Sequence, residues 1–312
     1  MDGTIYQETI RWKGTPIHVD ALRAENKVFL ISGGVIKTAS LKNEWQEDIE
    51  NPQEVIRELK SCPAKIDLLR FWQRIPQSEP KYGYYCEWRD VAAIPVTDYK
   101  QWLEKQISPT ARNKVRKTQK FGVVIEETAL TDELVRGIMG IFNQSPVRRG
   151  KRFWHYGKDF ETVKKEMSLD LTESTFVTAY HRNELIGFVK LLFTDSYALL
   201  TLILDKLNHR DKAPMNGMIA KTVEICGARR MPHLVYYMWR RAGHRDFQQS
   251  TGFERIPIPE YFVPLTAKGA IALRLGLHRG VRGLIPEKLM AQLLTARTKW
   301  YARKFRGTVP KQ

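Results

Sequence analysis

Apolar residues recur along the chain at strand-like and helix-like spacings. The most regular part is central, where nearly continuous apolar runs at 175–180, 185–193 and 197–204 predict three successive strands. The third run is apolar almost throughout, which is typical of a strand covered on both faces. A helix with Pro214 in its first turn and a further strand at 234–239 complete this series.

The remaining segments are less regular but predict the same kinds of element. The predicted strands are 17–19, 28–31, 67–71 and 123–125, with a hairpin formed by 82–85 and 92–96. The predicted helices begin at Asn51, Asp98, Ser108 and Thr131. Strands and helices mixed in this order predict an α+β protein.

The chain is strongly basic, and its charge is unevenly distributed. It has 51 Lys and Arg residues against 34 Asp and Glu, a formal net charge of +17. Residues 1–100 are almost neutral, whereas residues 266–312 hold 11 basic side chains and one acidic side chain, Glu287. A basic end beside a neutral beginning favours contact with a polyanion, such as anionic lipid or nucleic acid. The alternative is a solvated basic tail that has no partner.

Composition also limits the class of protein. With 43% hydrophobic and 27% charged residues, the composition is that of a globular protein. No apolar run approaches the ~20 residues of a membrane-spanning helix, and the beginning of the chain does not resemble a secretory signal. Cys62, Cys86 and Cys226 are odd in number and lack metal-ligand spacing, which favours reduced thiols in the cytoplasm and no bound metal.

Two basic clusters are candidate substrate-binding sites. In the helix after Ser108, five cations lie within two to three turns: Arg112, Lys114, Arg116, Lys117 and Lys120. All of these except Lys114 are candidates to bind a phosphorylated substrate or an acceptor tRNA. The alternative is that they form one solvated helix face. The segment 148–158 interleaves basic and aromatic side chains, which suits an anionic ligand that bears a ring. Its candidate contact residues are Arg148, Arg152, Trp154, Tyr156 and Lys158. The alternative is that these aromatic rings fill the core.

The order of the elements resembles that of the GNAT N-acyltransferases: strand, turn, two strands, basic loop, helix, strand, helix and then Gly252-Phe253. The helix end from Arg112-Asn113 to Phe121-Gly122 resembles the FemAB-like branch, which pairs two GNAT-like units. The resemblance implies a mixed, mostly antiparallel, splayed sheet flanked by helices. It implies three parts: 1–96 as a partial first GNAT-like unit, 97–265 as the acyltransferase unit and 266–312 as a basic helical extension.

The resemblance also implies an acyl-CoA site. GNAT enzymes hold the thioester and pantetheine against a splayed strand and the pyrophosphate at a helix N-terminus. Here that strand is 197–204 and the phosphate loop is 209–217, in which the small residues are displaced from the family pattern. The implied cofactor-binding residues are Leu202, Leu204, His209, Arg210, Lys212, Asn216 and Gly217.

Four residues are candidates for acid–base chemistry. His155 is a candidate general base, since histidine titrates near neutrality. Glu126, at the end of a predicted strand, and Asp205, directly after the strand 197–204, are competing bases. Tyr237 and its neighbour alternate across their strand, so one of them faces the acyl site. Gln248 stands where many GNAT enzymes have a tyrosine proton donor, so another group or water would supply that proton.

The first function that follows is N-acyl transfer, in which an amine attacks acyl-CoA, with acetyl-CoA as the expected donor. The expected acceptor is a small-molecule amine, such as an amino sugar or a cell-envelope or polysaccharide precursor. An aminoacyl-tRNA-dependent transferase is the alternative, because the basic surface fits tRNA. A non-catalytic binding module with the same fold is a third. The oligomeric state is not indicated.

The C-terminal segment predicts a contact with a membrane surface. Pro286 can begin a helix whose apolar face includes Leu289, Leu293, Trp300 and Phe305, with basic residues gathered toward its end. A basic amphipathic helix with aromatic residues is typical of peripheral membrane segments. This would place a cytoplasmic protein on the inner face of the membrane. The alternatives are packing of the helix on the transferase core and contact with RNA.

Overall fold

The computed structural model describes residues 4–12, 15–148, 150–239 and 244–280. The predicted C-terminal helix from Pro286 therefore lies outside the described residues. The chain divides into two compact units. Among the described residues, one comprises those up to Arg89 together with 257–280, and the other comprises 90–256.

The described residues form fourteen strands, eight α-helices, one π-helix and two 3-10 helices. The strands are β1 Tyr6–Trp12, β2 Thr15–Ala24, β3 Lys27–Ser32, β4 Thr38–Leu41, β5 Leu68–Trp72, β6 Tyr85–Pro95, β7 Val124–Thr128, β8 Val147–Arg148, β9 Lys151–Arg152, β10 Ser174–His181, β11 Glu184–Phe193, β12 Ala198–Asp205, β13 His233–Met238 and β14 Glu254–Pro264. The α-helices are α1 Pro52–Ser61, α2 Tyr99–Gln101, α3 Pro109–Lys120, α4 Asp132–Phe142, α5 Phe160–Met167, α6 Pro214–Ala228, α7 His244–Ser250 and α8 Ala267–Arg274. Trp102–Gln106 forms a π-helix, and Leu207–Lys212 and Leu277–Arg279 form 3-10 helices.

The first unit places its strands in the order β1-β2-β3-β4-β5-β14. The β4–β5 pair is parallel, and the other neighbours are antiparallel. Helix α1 begins at Asn51, whose side-chain oxygen accepts a hydrogen bond from the Glu54 amide at 3.4 Å. Its Val55 and Leu59 are buried in one core with Phe29 and Tyr261. The helical spacing read from this segment is thus confirmed.

The predicted hairpin of 82–85 and 92–96 is wrong. Tyr85–Pro95 is one continuous strand, β6. Residues 86–91 contain none of the Gly, Pro or Asn that a tight turn needs, so the chain continues in the extended conformation.

The second unit places its strands in the order β6-β13-β12-β11-β10-β7. Neighbours are antiparallel except for β12 and β13. Alternate residues of β10 and β11 belong to two separate cores, so each face of the sheet is covered. Helices α3 and α6 cover one face, and α4 and α5 cover the other. The predicted mixed, mostly antiparallel sheet flanked by helices is confirmed.

Helices α3 and α6 lie in close contact. A Cβ atom on Gly217 would come within 2.6 Å of the Thr118 side chain. The Thr118 hydroxyl donates to the carbonyl oxygens of Lys114 and Ala213, each at 3.0 Å. Among the described residues no helix is long and apolar enough to span a membrane.

Candidate functional site

The two parallel strands of the second unit separate along their length. β12 and β13 pair only at their first residues, Ala198 with Leu234 and Leu199 with Val235. Within the described strands, the rest of β12 makes no pairing on this side. The backbone amides and carbonyls along this edge are therefore available to a ligand that lies between the strands. This separation, which we call the opening, corresponds to the splay that the resemblance to the GNAT acyltransferases implied.

A β-bulge reorients β12 inside the opening. Lys190 pairs with Leu202 and Leu191 pairs with Leu200, so Thr201 is an extra residue in β12. The Thr201 hydroxyl donates to the Lys190 carbonyl at 3.0 Å, which fixes the bulge. Beyond it, Leu202 and Leu204 are half-buried and pack against the core beneath α4 and α5. Because these two side chains pack into the core, a ligand in the opening can contact the backbone groups at the edge of β12 instead.

The other strand of the opening is irregular at Tyr237. This residue has a positive φ of 46°, in the left-handed region, and pairing with β6 is interrupted between Val235 and Met238. Burial raises the pKa of Tyr237 to about 12, with a smaller contribution from Tyr236. Tyr237 is therefore protonated at neutral pH, and its hydroxyl can donate a proton or a hydrogen bond but cannot act as a base.

The N-terminus of α6 follows the opening, but its amides are largely used within the chain. Pro214 has no N–H, and the amides of Asn216 and Gly217 both donate to the Ala213 carbonyl, at 3.0 and 3.4 Å. Ala213 itself is left-handed, with φ 54°. The predicted cofactor residues Asn216 and Gly217 are buried here, and Gly217 faces Thr118. This arrangement differs from a helix end whose free amides surround a phosphate.

The basic residues before α6 lie on the 3-10 helix Leu207–Lys212, and each has a partner in the chain. Arg210 lies 3.4 Å from the Asp205 carboxylate, Lys212 lies 3.2 Å from Asp211, and His209 lies 3.2 Å from Glu184. Arg210 is nevertheless exposed. Of these three side chains, it is therefore the most accessible to an anionic ligand.

Asp205 closes the end of β12 and is held by two arginines. The Arg148 side chain, 8% exposed, donates to the backbone carbonyls of Asp205 at 2.8 Å and Ile141 at 2.9 Å. It thereby ties the end of β12 to the end of α4. Arg148, predicted as a substrate contact, is placed inside the fold and orients the strand of the opening.

A buried cluster, which we call the His155 cluster, occupies the segment predicted as a ligand loop. The Lys158 ammonium lies 2.6 Å from both carboxylate oxygens of Glu166 and 3.3 Å from His155 Nδ1. All three side chains are at most 8% exposed. The His155 ring stacks on Trp154 and Phe142, with centroid separations of 3.5 and 4.1 Å. Within this cluster the charged groups pair with each other, and the aromatic rings pack against each other.

Burial lowers the pKa of His155 to about 3, helped by the nearby charges of Lys158 and Arg148. A ring this weakly basic accepts a proton poorly, and its side chain is only 4% exposed, so neither its basicity nor its position favours the predicted role as general base. The neutral ring is instead a packed member of the core.

The titration of His155 should appear in the stability of the protein. The unfolded chain binds the His155 proton below about pH 6.5, whereas the folded chain does not until about pH 3. Stability is therefore complete above pH 6.5 and falls as the pH decreases toward 3, by up to about 1.4 kcal/mol per pH unit. Urea unfolding at pH 7.5, 6.5, 5.5 and 4.5 measures this slope. His155→Gln should flatten it, whereas His18→Gln, at an exposed histidine, should not; equal slopes in all three proteins would contradict the assignment.

The remaining predicted contacts are divided between exposed and structural positions. Arg152, Trp154 and Tyr156 are exposed, the two rings by 46% and 47%. Arg116 and Lys117 lie on the exposed face of α3. Arg112 instead donates to the carbonyls of Leu103, at 2.8 Å, and Glu104 at the end of the π-helix. The structure brings none of these into the opening.

Glu126 lies on β7, at the edge of the sheet of this unit. Three strand spacings of about 4.8 Å put β7 roughly 14 Å from β12. The carboxylate is exposed and away from the opening, in contrast to the prediction that it acts there as a base.

A cleft of about 530 Å³ lies beside the end of β13, and sequence reasoning did not find it. Its lining residues are Gln106, Trp239, Gln249, Gly252, Phe253, Glu254 and Arg255. The buried Oε1 atom of Gln106 has no hydrogen-bond partner in the described part of the chain. Amides, both signs of charge and an indole ring in one cleft suit a polar ligand with several hydroxyl or amino groups.

No protein-family model matches the chain, and no curated protein matches its sequence. Solved structures do match it. The C-terminal domain of a candidate lysylphosphatidylglycerol synthetase from Agrobacterium fabrum has a TM-score of 0.55 and 13% identity, covering 82% of this chain and 86% of that one. L-PGS from Bacillus licheniformis has a TM-score of 0.51 and 11% identity, covering 78% and 83%. A conserved protein of unknown function from Bacteroides thetaiotaomicron has a TM-score of 0.53 and 10% identity, covering 80% and 86%.

At such low identity these similarities concern the fold alone. Among the described residues no cluster of His, Cys, Asp and Glu is placed to hold a metal ion. The chain shares the fold of these structures, and the order of its elements is the one from which the sequence analysis drew its resemblance to the GNAT acyltransferases.

Proposed function

We propose that this protein transfers an acyl or aminoacyl group from an activated carrier to an amine, with the reacting carbonyl held in the opening between β12 and β13. The observation that carries the proposal is the separation of two parallel strands after only two paired positions, beside a bulge at Thr201. A strand edge with free amides can bind a carbonyl oxygen and stabilise the negative charge that develops on it. A closed sheet would offer no such groups.

The reaction needs a nucleophile, an electrophile and a route for one proton. The amine nitrogen bonds to the carbonyl carbon, the bond from that carbon to sulfur or oxygen breaks, and the leaving group takes a proton. Tyr237, which is protonated at neutral pH, is the proposed proton donor. Of the predicted bases, Asp205 is the one that lies on β12. We propose that it removes the proton from the amine, directly or through a water molecule.

Two carriers of the transferred group are candidates, acyl-CoA and charged tRNA. The sequence resemblance favours acyl-CoA, with Arg210 and Lys212 toward its phosphates. The engaged amides at the start of α6 favour a carrier other than CoA, and charged tRNA is then the second candidate. The exposed cations of α3, which include Arg116 and Lys117, offer a basic surface for such a polyanion.

The acceptor is proposed to enter through the cleft beside Trp239. Its amide, carboxylate and indole groups suit an amino sugar or another polar amine, as expected for a cell-envelope or polysaccharide precursor. The name of the similar structure from Agrobacterium fabrum refers to a lysylphosphatidylglycerol synthetase, which extends the acceptor candidates to a lipid headgroup.

Binding measurements separate the carriers. A carrier at 100 times its dissociation constant should stabilise the protein by about 2.7 kcal/mol, seen as a thermal shift. Acetyl-CoA, a long-chain acyl-CoA and charged tRNA form the panel. If CoA binds at the start of α6, Arg210→Ala/Lys212→Ala should weaken its binding at least tenfold, measured by calorimetry. Lys60→Ala/Lys65→Ala, which removes the same charge from the other unit, is the matched control.

Each outcome of the panel has a definite meaning. A shift with acyl-CoA that the double variant abolishes supports the first candidate, and a shift with charged tRNA alone supports the second. No shift with any carrier at millimolar CoA and micromolar tRNA overturns the transferase proposal and leaves a non-catalytic module.

A further inference from the structure

Helix α8 in the first unit has its small residues inside and its large apolar residues outside. Gly269 and Ala272 are buried, whereas Ile271 and Leu275 are 57% and 64% exposed. These two exposed residues are four apart, so they lie on the same side of the helix. Leu277, just beyond, is 38% exposed. A surface helix of a globular protein usually turns its large apolar side chains toward the core.

The inner face of α8 is fixed, so the outward apolar side chains are a lasting feature of the surface. Asp67 is the anchor: its carboxylate accepts from the Thr266 hydroxyl at 2.8 Å and lies 3.4 Å from the Lys268 ammonium. A Cβ atom on Gly269 would lie only 2.0 Å from the Asp67 carbonyl oxygen. The helix backbone therefore rests directly on the chain beneath it, and α8 cannot rotate to bury Ile271.

Aromatic and basic side chains surround this face. Tyr85, 47% exposed, lies 5.7 Å from the ring of His278, next to Leu277. Arg274 and Arg279 are exposed on the same segment. Residues 281–312, which follow directly, contain eight Lys and Arg residues and one acidic residue. An apolar patch with cations around it complements an anionic lipid surface in both respects.

We propose that the face of α8 formed by Ile271, Leu275 and Leu277 docks on an anionic bilayer, with these side chains inserted among the lipids. Cations near such a surface add electrostatic attraction, and the inserted apolar side chains add burial of apolar area. A second copy of the chain is a poorer occupant, because it would bring the two basic segments together. The proposal rests on residues outside the opening and does not depend on the transfer reaction.

Vesicle co-sedimentation of the full chain tests this docking. Vesicles of phosphatidylcholine with 30% phosphatidylglycerol should bind the protein, and pure phosphatidylcholine or 0.5 M salt should reduce binding at least tenfold. Ile271→Glu/Leu275→Glu should lower the partition coefficient at least tenfold on the anionic vesicles. Leu169→Glu/Leu171→Glu, at two exposed leucines of the other unit, adds the same charge and should retain most of the binding.

Three results would overturn the proposal. In the first, the full chain remains in the supernatant at low salt. In the second, both double variants lose binding equally, which would show that binding depends on net charge alone. In the third, sedimentation velocity without lipid detects a dimer that Ile271→Glu/Leu275→Glu abolishes, which would make this face a contact between copies. Circular dichroism of each variant confirms that it is folded before binding is compared.

Discussion

Replacing Lys158 with methionine should lower the free energy of unfolding by about 3–5 kcal/mol, because the Glu166 carboxylate would lose its closest cation while staying buried. The Coulomb attraction in this cluster offsets the cost of removing both charges from water. Removing the ammonium withdraws that attraction from the Glu166 carboxylate. Urea unfolding at pH 7.5, followed by circular dichroism, measures the loss.

Two further variants separate pairing from packing. Lys158→Met/Glu166→Leu removes both charges and should recover most of the stability, since apolar residues often replace a buried ion pair without loss. Lys151→Met, at an exposed lysine of the same segment, should change stability by no more than about 0.5 kcal/mol. A Lys158→Met protein as stable as the wild type would show that the pair is not structural, and the predicted contact of Lys158 with substrate would again be favoured.

The His155 cluster also shows where sequence patterns stop being informative. Five basic residues and four rings within 148–158 have the composition of a ligand loop. Whether a given lysine points outward depends on a partner, and the partner here is Glu166, eight residues away on α5. Nothing in the local spacing distinguishes Lys158, which is buried, from Lys151, which is exposed. The number of charges in this segment could be predicted from the sequence, but which of the charged side chains are buried could not.

The elements around the opening were predictable because their signals are local. The buried run of β12, the tight turn before β11, the Thr131 cap and Pro214 at the start of α6 each depend on a few adjacent residues. The order of these elements then implied a splayed sheet. The bulge at Thr201 and the left-handed Tyr237 could not be read in this way, because they depend on register between strands.

The cleft beside Trp239 lacked any sequence signal. Gln106 ends the π-helix, whereas Gln249, Glu254 and Arg255 lie about 150 residues later, on α7 and β14. None of these side chains belongs to a motif, and only the fold brings them together. The same is true of the outward apolar face of α8, since a spacing of four residues between Ile271 and Leu275 equally predicts a buried face.

Changing Gly269 to alanine should destabilise the first unit by about 3 kcal/mol or more. The added methyl group would lie 2.0 Å from the Asp67 carbonyl oxygen and 2.8 Å from its carbon, and these are backbone atoms that no rotamer change can move. The helix would have to shift away from Asp67. That shift would stretch the bonds that Asp67 makes to Thr266 and to the Leu265 amide, now 2.8 and 2.9 Å long. Urea unfolding monitored by circular dichroism reports the change.

A glycine-to-alanine change elsewhere gives the matched comparison. Gly227 lies in α6, and an added methyl group there would have no neighbouring atom within 4 Å, so Gly227→Ala should leave stability unchanged or raise it by up to about 1 kcal/mol. The same chemical change thus has opposite expected signs at two helical sites, and the difference isolates the contact with Asp67. If Gly269→Ala is also neutral, α8 does not rest on Asp67, and the fixed outward position of Ile271 and Leu275 loses its structural basis.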